Sequence, residues 1–150
     1  MKKDVTLYNV LFPLWMLLLF PVTWLIVLPG NFIIDSVVLI ISILIMKMPE
    51  KKAFYKRNIL KIYGFGLLAD AIGSVYMLIM MLGFELGRMG DEWYITVPAL
   101  IISSAMIFVL NYFVTLKKYE HKTRLYLALI FAIVTAPYTF LTPSRWLYGY

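Results

Sequence analysis

The chain has 150 residues, of which 63% are hydrophobic and only 15% are charged, and its mean hydropathy of +0.86 excludes a soluble domain of this length. Its net charge of +6 does not indicate nucleic-acid binding, because the basic residues lie in short segments between apolar runs, as membrane topology requires. Cysteine is absent and the single histidine, His121, lies in a charged segment, so thiol chemistry, cysteine-ligated metals and a bis-histidine haem are excluded. The composition therefore predicts an integral membrane protein with no metal and no cofactor.

The first predicted span and the start of the second lie in a stretch that carries no charge from Val5 to Ile34. A single helix of that length would overshoot the bilayer by roughly ten residues. The Pro29-Gly30-Asn31 sequence has the residues of a tight turn, so we predict two helices, about 11–28 and 32–48, joined by a short hairpin. This arrangement places Asp35 one turn from the outer end of the second span.

A basic segment, PEKKAFYKRN at residues 49–58, follows the second span. It can be interpreted as a solvated loop that sets the topology, or as a short interfacial helix lying on anionic lipid headgroups. Both interpretations place this segment at the cytoplasmic side of the membrane.

The third predicted span, about 61–84, has an acidic residue at its centre. A helix rises ~1.5 Å per residue, so Asp70 lies roughly 13 Å beyond Lys61, near the midplane of a ~30 Å hydrocarbon core. An ionisable group there costs on the order of 2.5–3.5 kcal/mol, so it should face protein or water. Helical spacing supports this orientation. Tyr63, Gly66, Gly73, Ser74, Met77 and Met81 share the Asp70 side, whereas Phe65, Leu68, Ile72, Val75, Ile79 and Leu82 lie opposite.

The fourth and fifth spans are predicted at about 95–116 and 125–141, separated by a second basic segment. Twelve of the fourteen basic residues then lie on one side of the membrane, and only Arg88 and Arg145 lie on the other. The sequence thus predicts a single all-α domain over residues 1–150, a bundle of five transmembrane helices with the N-terminus in the cytoplasm and the C-terminus outside.

Polar residues inside these spans form a predicted ladder across the membrane. Asp35 is placed at its outer mouth, Asp70, Ser74 and Ser104 near the middle, and Asn111 roughly 24 Å from the outer end of the fourth span. A carboxyl group at mid-depth with hydroxyl and amide neighbours can carry protons or hold a cation. The alternative is that Asp70 stays protonated and forms only an interhelical hydrogen bond, worth about 0.6 kcal/mol on average.

The sequence contains none of the zinc-protease, phosphate-binding or nucleophile-elbow motifs that mark common enzymes, so we expect no catalytic residues. The leading hypothesis is a small proton- or cation-linked transporter or channel subunit that uses Asp70. The alternative is a non-catalytic accessory, assembly or immunity-type component of a larger membrane complex. A third interpretation, regulation through the basic segments, predicts salt-sensitive binding to anionic lipid headgroups.

The expected partners are the lipid bilayer and its anionic headgroups, together with a homodimer or membrane-protein partner, since five helices enclose little space by themselves. The segments PGNFIID, at 29–35, and FGLLADAIGS, at 65–74, resemble small bacterial membrane proteins in general, and this resemblance implies no particular function. It implies a multi-pass protein of the plasma (inner) membrane.

Overall fold

The computed structural model describes residues 21–83 and 92–142, and all regular structure within them is helical. Helix α1 comprises Pro21–Ile45, α2 comprises Lys51–Gly83, α3 comprises Trp93–Leu110 and α4 comprises His121–Val134. A π-helical turn, Asn111–Thr115, continues α3, and a short 3-10 helix, Tyr138–Leu141, follows α4.

Four stretches within the described residues are long and apolar enough to cross a membrane, namely α1, α2, α3 with its π-turn, and α4 with the 3-10 helix. The all-α prediction is therefore confirmed for the described residues, and their four long apolar helices suggest a membrane-embedded protein. The fifth span and the N-in, C-out orientation stay predictions. Residues 11–20 of the first predicted span, the 84–91 segment and the 143–150 tail lie outside the described residues.

The four helices form a ring in chain order, in which α1 contacts α2, α2 contacts α3, α3 contacts α4, and α4 returns to α1. Apolar side chains fill this ring in two clusters. The larger cluster lies toward the ends of the helices that carry the basic residues and includes Leu39, Ile62 and Phe131. The smaller cluster, Met77, Ile95, Ala99 and Phe140, lies toward the opposite end. A layer containing Asp35 and Asp70 lies between the two clusters.

Helix α1 runs without interruption through Pro29-Gly30-Asn31, so the predicted hairpin is wrong. A proline inside a helix removes one backbone hydrogen bond, and this loss is tolerated in a membrane because neighbouring helices satisfy the freed groups, whereas an open turn would expose many more. Helix α2 also packs against this segment of α1. The Tyr63 hydroxyl donates to the Leu28 carbonyl at 3.1 Å, and Phe32 packs edge-on against the Tyr63 ring.

The basic segment is helical from Lys51 onward, so the predicted loop is wrong there, and this helix is the start of α2 rather than a separate short helix. With 33 residues, α2 is roughly 50 Å long and exceeds a ~30 Å hydrocarbon core, so its first turns project beyond it. This projecting part is packed against its neighbours. The Tyr55 hydroxyl donates to Ser36 Oγ at 3.0 Å, and the Asn58 amide donates to the Tyr119 hydroxyl at 3.0 Å.

Candidate functional site

Asp70 faces the interior of the bundle, as its helical position predicts. The side-chain amide of Asn31 on α1 donates to Asp70 Oδ2 at 3.2 Å, and Asp70 Oδ1 is buried without a hydrogen-bond partner in the described residues. The predicted faces of α2 are confirmed around it. Gly73, Ser74 and Met77 are buried, whereas Leu68, Val75, Ile79 and Leu82 are exposed on the opposite side.

Asp35 lies beside Asp70, about one helical turn closer to the basic ends of the helices. Its position at the outer mouth of a ladder is therefore wrong. Because α1 is continuous, Asp35 lies fourteen residues, or roughly 21 Å, from Pro21 rather than one turn from a helix end. Its side chain is only 5% exposed and has no hydrogen-bond partner among the described residues. Asp35 is thus a second buried carboxyl group in the middle of the bundle.

The Asp35 carboxyl group packs against Gly66 of α2. A Cβ atom built at Gly66 would lie 3.5 Å from Asp35 Oδ2, so this carboxyl group rests directly over the glycine. The two carboxyl groups are close enough to interact electrostatically. No lysine or arginine in the described residues pairs with either of them. Among the described residues, a negative charge on this pair would therefore be stabilised by the hydrogen bond from the neutral Asn31 amide and by no basic side chain.

Both carboxyl groups line a cavity of about 340 Å³ between α1, α2 and the end of α4. The α4 side of this cavity is formed by residues 134–139, where the helix stops at Val134 and resumes as the 3-10 helix. The fifth predicted span, 125–141, is therefore interrupted beside the two acids. Pro137 accounts for the interruption, because it has no N–H to donate to the preceding turn.

A second cavity, of about 190 Å³, adjoins Asp70. It extends from Asp70 away from the basic ends of the helices. Its lining is almost entirely apolar, and includes Trp24, Val27 and Leu67. Ser74 lines this cavity, and its buried Oγ has no hydrogen-bond partner within residues 21–83 and 92–142. Asp70 and Val27 line both cavities.

Ser104, predicted to contribute to the site, lies only half-buried and does not line either cavity. Its neighbour Ser103 is fully buried instead, and its Oγ donates to the Ala69 carbonyl at 2.9 Å. A rotation of about 100° separates adjacent helical residues, so an error of one position moves a side chain to another face. Ser103 holds α3 against α2 next to Asp70.

Asn111 is fully buried, but it does not line either cavity that contains Asp70. Its side-chain amide donates to the Ile107 carbonyl at 3.0 Å in its own helix, and it begins the π-turn. The predicted ladder across the membrane therefore does not extend to Asn111. Of the predicted set, Asp35 shares the first cavity with Asp70, and Ser74 shares the second cavity with Asp70.

Sequence reasoning missed Asn31 and the break in α4 as parts of the site. Asn31 and Asp35 have the i, i+4 spacing that places two side chains on one helix face, but assigning Asn31 to a turn at the outer end of the span placed it away from Asp70. Pro137, two residues after Thr135, is a recognisable signal for the end of a helix. Its proximity to the two acids depends on how α4 packs.

The described residues contain no group of three or more histidine, cysteine, aspartate or glutamate side chains that could hold a metal ion. Comparison with protein-family models, with curated proteins and with solved structures finds no match for this chain. The geometry of the Asp35–Asp70 site is therefore the basis for assigning a function.

Proposed function

We propose that this protein is a small proton- or cation-linked transporter or channel subunit of the plasma membrane, in which Asp70 and Asp35 carry the transported charge. One observation carries the proposal. Two carboxyl groups that have no basic partner in the described part of the chain line one cavity at the middle of a bundle of apolar helices. A purely structural hydrogen bond between helices needs one acid and one donor, as in the Asn31–Asp70 pair, and leaves Asp35 unexplained.

The energetic argument concerns Asp35 in particular. A buried polar group without a hydrogen bond costs roughly 1–3 kcal/mol, and a charge at mid-membrane costs about 2.5–3.5 kcal/mol or more. Packing alone gives no reason to place this carboxyl group opposite Gly66, where an apolar side chain would fit. A group that must bind and release a proton or cation accounts for the cost, because neutralisation removes it.

The basic residues define the orientation that we propose. Those in 47–61 follow α1 and begin α2, and those in 117–124 join α3 to α4, so both groups lie at the same ends of the helices. An excess of lysine and arginine marks the cytoplasmic side. Asp35 then lies on the cytoplasmic side of Asp70, and ions that enter from that side reach Asp35 first.

The test is ion flux into liposomes that contain the purified protein, under an imposed voltage and with protons or monovalent cations as the permeant ion. We expect flux in the wild type that is lost in Asp70→Asn and strongly reduced in Asp35→Asn. Glu120→Gln is the matched control, because it neutralises an exposed carboxyl group next to α4 and should leave flux unchanged.

Equal flux in Asp70→Asn and wild type, with both proteins folded, would contradict a role for Asp70. A wild-type protein that conducts neither protons nor cations would refute the proposal. Co-purification of a membrane partner would then test the accessory role that is the alternative from the sequence.

A further inference from the structure

The break in α4 leaves two backbone carbonyl groups without N–H donors, in residues that line the cavity. The Thr135 N–H closes the last helical turn on the Phe131 carbonyl at 3.0 Å. Three residues later, the Tyr138 N–H donates to Ala136 at 2.7 Å and therefore does not reach the Val134 carbonyl. Among the described residues, no N–H donates to the carbonyl of Val134 or Thr135. Both residues line the cavity that contains the two acids.

The electrostatics of this end of α4 favour a cation. The C-terminus of a helix carries a partial negative charge of about half an electron, because its last carbonyl groups point outward. Here that end faces the same cavity as two carboxyl groups. The Asn31 amide nitrogen is already used on Asp70 Oδ2, which leaves its oxygen as a further ligand atom.

We propose that Asp35, Asp70 and Asn31, together with the backbone carbonyl groups at the α4 break, bind a monovalent metal cation of the sodium type. This inference rests on the proposed function, because it names the ion that the site accepts. Carboxylate, amide and carbonyl oxygen atoms suit hard cations, and discontinuous helices in membrane transporters coordinate sodium through unwound carbonyl groups of this kind. The cavity is large enough for such an ion with several water molecules.

Charge balance favours a monovalent ion. One carboxylate is neutralised by the cation and the other by a proton, so the occupied site has no net charge at mid-membrane. A calcium site uses six to eight oxygen ligands and usually more carboxylates, whereas the described residues place only two acids here. The pair can therefore exchange one cation for one proton without leaving a buried charge.

The test is equilibrium binding of radioactive sodium to the full chain in detergent, in choline buffer, with lithium, potassium and calcium as competitors. We expect saturable binding of one ion per chain, displaced by other monovalent metal ions more readily than by calcium. Asp35→Asn, a nearly isosteric change, should weaken binding by at least about tenfold.

Pro137→Ala tests the carbonyl ligands. Alanine restores an N–H and allows α4 to continue, so the following N–H groups can close on the Val134 and Thr135 carbonyls, and we expect about tenfold weaker binding. Pro98→Ala is the control, because it makes the same change inside α3, away from the cavity. Thr135→Val is a second control. It keeps the backbone carbonyl and removes a hydroxyl that already donates to Phe131, so binding should stay within about twofold.

The outcomes separate the two proposals. A wild-type protein that conducts protons in choline buffer but binds no sodium would overturn this inference and leave the proposed function intact. The absence of both proton flux and sodium binding would contradict both. Sodium binding that is equally tight in Pro137→Ala and Pro98→Ala, with both variants monodisperse, would exclude the carbonyl groups as ligands. If Pro137→Ala does not fold, unchanged binding in Asp35→Asn would still overturn the proposed site.

Discussion

Helix α2 packs closely against its neighbours at Gly73, so we predict that Gly73→Ala destabilises the protein. A Cβ atom at this position would lie 2.2 Å from Ser103 Oγ and 2.6 Å from a ring carbon of Phe140. Both distances are far below van der Waals contact. Ser103 is 0% exposed and Phe140 is 1% exposed, so neither side chain has free space into which it can move. Helix α3 and the 3-10 helix must therefore shift away from α2.

The expected loss follows from three contributions. Overpacking a core costs about 1–3 kcal/mol. Displacing Ser103 also breaks its hydrogen bond to the Ala69 carbonyl, which contributes about 1 kcal/mol. Alanine is a better helix former than glycine by about 1 kcal/mol, which offsets part of this cost. The net destabilisation of Gly73→Ala is therefore about 1–3 kcal/mol.

Gly64→Ala is the matched control in the same helix. A Cβ atom there has no neighbour within 4 Å, so only the gain in helix propensity remains and stability should rise slightly. Unfolding of both purified variants with denaturing detergent, followed by circular dichroism, measures the difference. A double variant with Ser103→Ala should recover part of the loss, because it removes the nearest clashing atom. Equal unfolding midpoints for Gly73→Ala and Gly64→Ala would refute the packing described here.

Three further predictions concern the site and its surroundings. Ser103→Ala should lower the free energy of unfolding by about 0.5–1.5 kcal/mol, whereas Ser104→Ala should change it by less than about 0.5 kcal/mol. Equal effects of the two substitutions in denaturant titrations would contradict the assignment of Ser103 as the buried partner of the Ala69 carbonyl. Gly66→Ala should retain ion flux because its methyl group makes only ordinary contact, whereas Gly66→Leu should fill the cavity and abolish flux in liposomes; unimpaired flux in the leucine variant would place the ion route elsewhere. Lys51 and Lys52 border an apolar groove between α1 and α2. Each lysine near an anionic lipid surface contributes about 1 kcal/mol of binding free energy, so replacing both with glutamate should reduce retention of anionic phospholipid by tenfold or more at low salt. The assay measures the anionic phospholipid that stays bound when each protein is purified from mixed micelles. The difference between the glutamate variant and wild type should shrink at high salt, and a salt-independent difference would argue against electrostatic binding.

The local properties of the sequence determined that the protein is built from apolar helices and which face of α2 points into the bundle. Hydropathy and helical periodicity depend only on residues within a few turns of each other, which is why the apolar helices and the inward face around Asp70 could be predicted. The exposed positions Leu68 and Val75 and the buried positions Gly73 and Met77 agree with that periodicity.

The continuity of α1 was decided by its environment rather than by its residues. Proline, glycine and asparagine favour a turn in water, where solvent satisfies the backbone. Inside a membrane, helical hydrogen bonds are the cheaper solution, and α2 contributes Tyr63 and Asp70 as partners for the same segment. The depth of Asp35 follows from the continuity of α1. The wrongly predicted turn therefore also misplaced Asp35 at the outer end of a span.

Only the tertiary structure could show what surrounds the two acids. The Asn31–Asp70 hydrogen bond joins residues 39 positions apart, and the Ser103–Ala69 bond joins residues 34 apart. The α4 break lies still farther along the chain from Asp35, yet both line one cavity. Sequence periodicity indicates which face of a helix turns inward, because neighbouring turns share that face. Which groups meet there depends on the register and packing of separate helices, which no local pattern encodes.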